Sequence, residues 1–369
     1  MKVLANRYLY KFRELLPDGI DLDLFDPEEL PKNAPEYDAL FVNTTTPINE
    51  QSLPDTGNLS FIATGSSGTD HLDLKYLKSK GIRYGDAAGC NAVTVAEYII
   101  TALFLFQQRS RIPMIDFKVG IIGKGHVGTA VSRMLTRFSI PHLAYDPPRS
   151  DHDTDFHSAH FEEIKECNIL TFHTPITYSG AYPTHQLLNR SWFQGCNYHL
   201  IINSSRGEVV DEELILDEME TGRLKSAIID VWKGEPGFNT RLAKKAKIAT
   251  PHIAGYSVQS KLRASQMIID QFCRHFGLPV QPPEPVEKVD LNLTKTYESL
   301  GQVLEDIHPI CTFDTELRKL IELPSGERKK AFKTLRSESE LRHEYTNMRV
   351  DSKLLNQFPE LGLLGIDPK

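Results

Sequence analysis

Val119-Gly-Ile-Ile-Gly123-Lys-Gly125-His-Val-Gly128 sets a short apolar run directly ahead of three glycines spaced GxGxxG. The run reads as a buried strand, and the residues from His126 onward as the first turn of a helix. Gly123 permits the tight turn, Gly125 lets a pyrophosphate approach the backbone, and Gly128 lets the helix pack close to the strand. The helix N-terminus, at His126 and Val127, then faces the phosphate charge with its dipole. The matching acid is Asp146, eighteen residues after Gly128 at the end of the next β-run. That is near the roughly twenty-residue spacing of a ribose-binding carboxylate. Asp146 would accept from the ribose hydroxyls and repel the extra phosphate of NADP, so NAD is the expected cofactor. Arg149 close by leaves some NADP use open.

On either side of this motif, β-runs alternate with helical stretches. Leu40–Asn43 and Leu59–Thr64 read as buried strands ahead of it, with Asp73–Lys80 a short helix closed by Gly81. Asn91–Gln108 is a long helical stretch, apolar on most faces, as expected of a helix buried between two bodies. After the motif, strands are predicted at His142–Tyr145, Asn168–Phe172, His199–Asn203, Ser226–Asp230 and Lys247–Ala249, with a helix over Asp211–Thr221. Such regular alternation is what a doubly wound parallel sheet requires. From Tyr256 a helix reaches about Phe276, and the Pro-rich Pro279–Pro285 reads as a linker. Beyond it, Val286–Leu293 reads as a strand, and Lys295–Ile307 and Glu327–Leu335 as helices.

The chain of 369 residues is long enough for two or three domains, and its 40% hydrophobic and 25% charged composition is that of a soluble globular protein. A net charge of -7 argues against a nucleic-acid partner. The five cysteines are scattered without a CxxC pair and read as reduced residues, neither disulfides nor a metal site. His152, His157 and His160 lie in a polar loop without ligand spacing and read as solvated. Residues Met1 to Tyr10 lack the apolar core of a signal peptide, and the apolar stretch Tyr98–Phe106 is too short to cross a bilayer. The expectation is a soluble cytoplasmic protein with no membrane partner.

Three later segments carry chemistry. Arg206, in Asn203-Ser-Ser-Arg-Gly207, Glu235, in Asp230-Val-Trp-Lys-Gly-Glu-Pro236, and His252, in Thr250-Pro-His-Ile-Ala-Gly255-Tyr256, all follow β-runs. Oxidising a secondary alcohol needs a base for the hydroxyl proton and a cation to hold a carboxylate and polarise the oxygen. His252 and Arg206 supply those parts, and Glu235 can orient His252 and stabilise its protonated form.

Together with His173-Thr-Pro175, Asp230-Val-Trp and Pro251-His-Ile-Ala-Gly255, this series resembles the D-2-hydroxyacid dehydrogenase family. The resemblance implies catalytic roles for Arg206, Glu235 and His252, a nicotinamide contact for Asp230, and places for Thr174 and Gly255 near the cofactor. Gly68-Thr-Asp-His71, Gly89-Cys-Asn-Ala92, Glu235-Pro-Gly-Phe-Asn239 and His252-Ile-Ala-Gly-Tyr256 are similar to a branch of the family that oxidises a phosphorylated sugar acid. That likeness implies substrate contacts at Thr44, Ser66 and Tyr256, with the backbone around Ser66, Ser67 and Gly68 receiving the carboxylate. Asn43 stands where the family typically has an arginine, and Arg342 is a candidate replacement cation supplied across a dimer.

The fold implied is α/β with two doubly wound parallel sheets. A flavodoxin-like substrate domain over 1–90 is completed by 255–285 with the linker. A Rossmann-type NAD domain covers 91–254, and a small α+β domain over 286–369 forms a homodimer. The alternatives are another enzyme of the same family, acting on phosphoglycerate or glyoxylate, and an NAD-sensing, non-catalytic partner-binding protein of the same fold.

Overall fold

A computed structural model describes every residue except Glu28 and Glu284. The chain divides into two compact units, Met1–Asn91 with Ser257–Glu287, and Ala92–Tyr256 with Lys288–Lys369.

The first unit is built on a five-stranded parallel sheet. Its strands are β1 (Lys2–Asn6), β2 (Asp21–Phe25), β3 (Ala39–Val42), β4 (Phe61–Thr64) and β5 (Arg83–Gly85), in the order β2-β1-β3-β4-β5. That is the flavodoxin-like order, which changes direction between β1 and β3. The helix Val258–Phe276 returns to this sheet, where Ile268 and Phe272 share a core with Phe41 and Phe61. It starts at Ser257, whose hydroxyl accepts from the Ser260 N–H, and stops at Gly277 in the left-handed region. β1, β2 and β5 are absent from the strands expected of the sequence. β2 is an edge strand that leaves Asp21 and Leu24 exposed, so no buried apolar run announces it.

The second unit holds six parallel strands, β6 (Val119–Ile122), β7 (His142–Tyr145), β8 (Ile169–Phe172), β9 (Leu200–Asn203), β10 (Ala227–Ile229) and β11 (Ile248–Ala249), ordered β11-β10-β9-β8-β6-β7. All but β7 are buried along their whole length, as a sheet covered on both faces demands. Their pairing puts Tyr145, Ile122, Phe172, Asn203, Ile229 and Ala249 on one row across the sheet. The residues that follow that row, Asp146, Gly123, His173, Ser204, Asp230 and Thr250, therefore leave the sheet along a single edge. It is the carboxyl edge, and the strand order changes direction there between β6 and β8, where such sheets bind ligands.

The tail adds a small parallel sheet of β12 (Val289–Asp290), β13 (Met348–Val350) and β14 (Asp367–Pro368). The strand expected over 286–293 shrinks to two residues. The helix expected from Lys295 begins at Leu300, because Ser299 caps it by accepting from the Gln302 N–H. Val303, Leu304 and Tyr345 of the tail pack into the same core as Ile99, Leu103 and Phe106 of the helix Ala92–Ser110. Leu317 and Phe332 enter a second core beside Trp232 and Phe238.

Arg342 corrects an expectation. It is 7% exposed, and its Nη1 donates to Glu97 Oε2 at 2.6 Å within the same chain, so it is no cation offered across a dimer. Glu97 Oε1 accepts from the Tyr345 N–H at 2.8 Å, and Arg342 Nη2 donates to the Thr94 carbonyl at 3.1 Å. Burial pushes the Glu97 carboxyl up to about 7 while Arg342 pulls it down, as a pair held out of water requires. Arg342→Ala leaves Glu97 without its cation, and a urea-unfolding midpoint should fall by the equivalent of about 3–5 kcal/mol. The double variant Glu97→Gln, Arg342→Met should recover most of that loss in the same measurement.

Candidate active site

At the nucleotide end of the carboxyl edge, the close approach of turn and helix fixes the choice of Gly128. A Cβ there would meet the Gly123 carbonyl oxygen at 1.9 Å, while a Cβ on Gly125 would meet nothing within 4 Å. The turn is thus closed on the strand side and open on the side where a ligand would lie. The helix His126–Arg137 begins at this turn, with the His126 side chain exposed and Val127 packed on the core. Asp146 is tied to the same turn. Its Oδ2 accepts from the Lys124 N–H at 2.7 Å and its Oδ1 from the Arg149 N–H at 3.1 Å. Each oxygen keeps a lone pair for a further donor. Arg149 is committed elsewhere, donating through Nη1 to the Lys124 carbonyl at 2.7 Å and pairing with Asp153 at 2.8 Å.

Three buried polar atoms at this edge have no partner: Thr174 Oγ1, His173 Nδ1 and Ser204 Oγ. The other His173 nitrogen lies 3.0 Å from the Thr171 hydroxyl, and burial pushes the imidazole down to about 3, so the ring is neutral. Unsatisfied polar atoms beside an open glycine turn call for a polar ligand. This edge therefore fits a dinucleotide.

The catalytic end is assembled around Asp230. Its buried carboxylate accepts from the Thr250 hydroxyl at 2.6 Å and the Ile253 N–H at 2.8 Å on Oδ1, and from the Ala254 N–H at 3.0 Å on Oδ2. The single Thr250 proton goes to Asp230, so Tyr98 donates its hydroxyl proton to Thr250, 2.8 Å away. Burial pushes the Asp230 pKa up, with His252 and these three donors pulling against it. His252 itself sits at φ 60°, a left-handed backbone costly for a residue other than glycine, of order 1–3 kcal/mol. Its N–H donates to the Asp230 carbonyl at 2.7 Å, and its carbonyl accepts from Arg336 Nε at 3.3 Å. The peptide is pinned on both sides of the strained residue.

Glu235 Oε2 meets His252 Nδ1 at 2.7 Å, and Glu235 Oε1 accepts from the Trp232 N–H at 2.9 Å. Burial raises the Glu235 pKa, but His252, Arg336 and the Trp232 N–H outweigh it and bring it below the ordinary value. An ionised carboxylate accepts only, so Nδ1 carries the proton that faces Glu235. The Trp232 indole N–H donates to the Thr250 carbonyl at 2.9 Å and braces the same loop.

Arg206 is held by Asn203. The Asn203 amide accepts from Ser205 N–H and hydroxyl and donates to the Arg206 carbonyl at 2.9 Å. Gly207 permits this loop to lie on its neighbour, since a Cβ there would meet the Trp232 carbonyl carbon at 2.1 Å. Gly255 and Tyr256 follow the segment pinned by Asp230, both half-buried.

In the first unit, Thr44 follows β3 and is exposed, while Ser66, Ser67 and Gly68 follow β4 and are half-buried. Asn43 folds its own turn by accepting from the Thr45 N–H at 3.1 Å. The Ser66 hydroxyl donates to the Gly68 carbonyl at 2.7 Å, and Ser67 Oγ accepts from the Gly89 N–H at 3.2 Å. Sequence reasoning missed Tyr98, Thr250, Trp232 and Arg336 as supports of the site. Arg336 had one readable signal: it stands four residues after Phe332, and i, i+4 residues share a helix face.

Residues 107–254 match the model of the D-isomer specific 2-hydroxyacid dehydrogenase NAD binding domain. A D-lactate dehydrogenase from Aquifex aeolicus, solved with NAD and lactic acid, superposes with a TM-score of 0.62 at 23% identity, covering 74% of this chain and 95% of that one. The fold is that of the NAD-dependent D-2-hydroxyacid dehydrogenases. The erythronate-4-phosphate dehydrogenase of Bacteroides fragilis is 35% identical over 83% of this chain and 89% of its own. That of Photorhabdus laumondii is 32% identical over 95% of this chain and 94% of its own. The chain belongs to the erythronate-4-phosphate dehydrogenase family.

If the turn holds the dinucleotide, Gly128→Ala should weaken NAD binding at least tenfold in a fluorescence titration. Gly125→Ala, whose Cβ meets only open space in the protein, should fold as stably as wild type by thermal melt and still lose affinity.

Proposed function

We propose that this chain oxidises 4-phospho-D-erythronate to 2-oxo-3-hydroxy-4-phosphobutanoate, a step of pyridoxal phosphate biosynthesis. The observation that carries the proposal is the 2.7 Å Glu235–His252 pair, standing on the same sheet edge as Arg206 and the glycine turn, in a chain of this family. NAD, when bound, accepts the hydride from the carbon that bears the hydroxyl. Gly123, Gly125, the N–H groups of His126 and Val127, Gly128, Asp146, Thr174, Asp230 and Gly255 hold the cofactor in this reading. His252 Nε2 takes the hydroxyl proton, and Glu235 stabilises the imidazolium that results. Arg206 holds the substrate carboxylate and the reacting oxygen, concentrating positive charge where the alkoxide develops. Thr44, Ser66, Ser67, Gly68 and Tyr256 bind the rest of the substrate. A homodimer formed through residues 286–369 and a cytoplasmic location complete the proposal. No helix among the described residues is long and apolar enough to cross a membrane.

The depressed Glu235 pKa gives this pair its pH range. Glu235 stays ionised below the ordinary carboxylate range, so protonation of Glu235 should not limit oxidation on the acid side until the pH falls past that range. An absorbance assay for NADH with 4-phosphoerythronate, paired with mass spectrometry of the substrate, tests the reading. Wild type should turn over, and His252→Ala should lose about 10²–10⁴-fold in kcat. Absence of turnover by wild type that still binds NAD would reject this substrate. Equal turnover by the variant would reject His252 as the base.

A further inference from the structure

The helix Ser325–Ser337 of the tail lies against the loop that carries Glu235. Phe332, almost wholly buried, packs on Phe238 with ring centroids 5.9 Å apart, and Phe238 packs on Trp232 at 5.6 Å. One turn earlier, the Arg328 guanidinium lies 5.9 Å from the Phe238 ring centre. One turn later, the same face presents Arg336. Its Nε donates to the His252 carbonyl at 3.3 Å, and its guanidinium lies 5.5 Å from the Tyr256 ring centre.

We propose that Arg336, delivered by the C-terminal segment of the same chain, is a positioning residue for the acid–base pair, clamping the His252 peptide and setting a positive charge beside Glu235 and Asp230. This deepens the dehydrogenase reading given above and rests on it. The geometry carries the assignment. His252 has a backbone conformation that L-residues avoid, held from its N–H side by Asp230 and from its carbonyl side by Arg336. Without the second clamp, one end of the strained peptide is released, and the imidazole it carries loses its aim.

The charge has a separate effect. Two acids, Glu235 and Asp230, stand on loops after β10 and favour an imidazolium at His252. Arg336, from the tail helix, faces both of them and Tyr256. Burial works against its charge, yet Tyr256, Glu235 and Asp230 outweigh that and raise its own pKa. Arg206, after β9, and Lys233, after β10, are further cations on this edge. A cation beside those two acids offsets part of their negative charge. A substrate proton can be taken only by an unprotonated base.

The test compares wild type with Arg336→Met and Arg336→Lys in the full-length chain. In Arg336→Met the acidic limb of the kcat/KM profile should move up by roughly 0.5–2 pH units, the span of one charge acting through a partly screened site. Its kcat should fall at least tenfold with KM for NAD little changed. Arg336→Lys should return the limb toward its wild-type position while restoring only part of kcat, because the ammonium keeps the charge without the Nε geometry. An acidic limb unmoved in Arg336→Met, whatever the loss in rate, would overturn the proposal and leave Arg336 as packing. If methionine disturbs folding by thermal melt, Arg336→Gln is the neutral variant read in its place. A second readout needs no turnover: the pH midpoint of diethylpyrocarbonate modification at His252, followed by peptide mass, should rise in the neutral variant. That readout decides the role of Arg336 even if wild type proves inactive on 4-phosphoerythronate, an outcome that rejects the substrate assignment alone.

Discussion

One buried carboxylate, on Asp230, accepts three hydrogen bonds from the segment that follows β11, and the shape of the catalytic end depends on them. A carboxylate taken out of water is costly unless its lone pairs are met, and here a hydroxyl and two N–H groups meet them. The donors are local to one another, Thr250, Ile253 and Ala254, so satisfying the charge forces the chain to turn tightly between them. His252 lies inside that turn and absorbs the distortion as a positive φ. The requirement to solvate a buried acid is thereby converted into the direction of the His252 side chain. The Tyr98 hydroxyl extends the chain of donors through Thr250, coupling the helix Ala92–Ser110 to the same point.

The parallel register explains how residues far apart in the chain meet. Ile122, Phe172, Asn203, Ile229 and Ala249 are spread over more than half of the second unit's sequence, yet pairing sets them on one row. Each strand then releases its next residue at the same edge. A glycine turn, three unpartnered buried polar groups, an arginine loop and two acids arrive there from separate strands. A one-residue slip in any strand would turn its side chains to the opposite face and break the row.

The strands of the second sheet were readable for a physical reason. Buried on both faces, all but β7 are short apolar runs, and glycine, proline or polar residues follow close on their ends. Edge strand β2, with acids inside it, gives no such contrast, and β1 opens the chain without a flanking turn signal. The tail was harder still. Its elements draw their stability from packing on the helix Ala92–Ser110 and on Phe238, so local propensity alone made one strand too long and started one helix too early. Arg342 was misread because a lone cation in a polar stretch suggests a ligand. The counter-signal was Glu97, an acid inside an otherwise apolar helix, which has to find a cation of its own.

Arg336 was hard to read for the complementary reason. Its partners are a backbone carbonyl and an aromatic face, and neither leaves a motif. What places it is Phe332, buried one helical turn before it in the core that also holds Trp232 and Phe238. The aromatic residue fixes the helix, the helix fixes the arginine, and the arginine meets the peptide of His252. Stability of the tail and geometry of the base are then linked through one rigid element, because the same packing serves both. A substitution that loosens Phe332 would act on chemistry without touching any residue that meets substrate. The last segment of the chain is thus part of the site's support, whatever further contacts its outer surface makes.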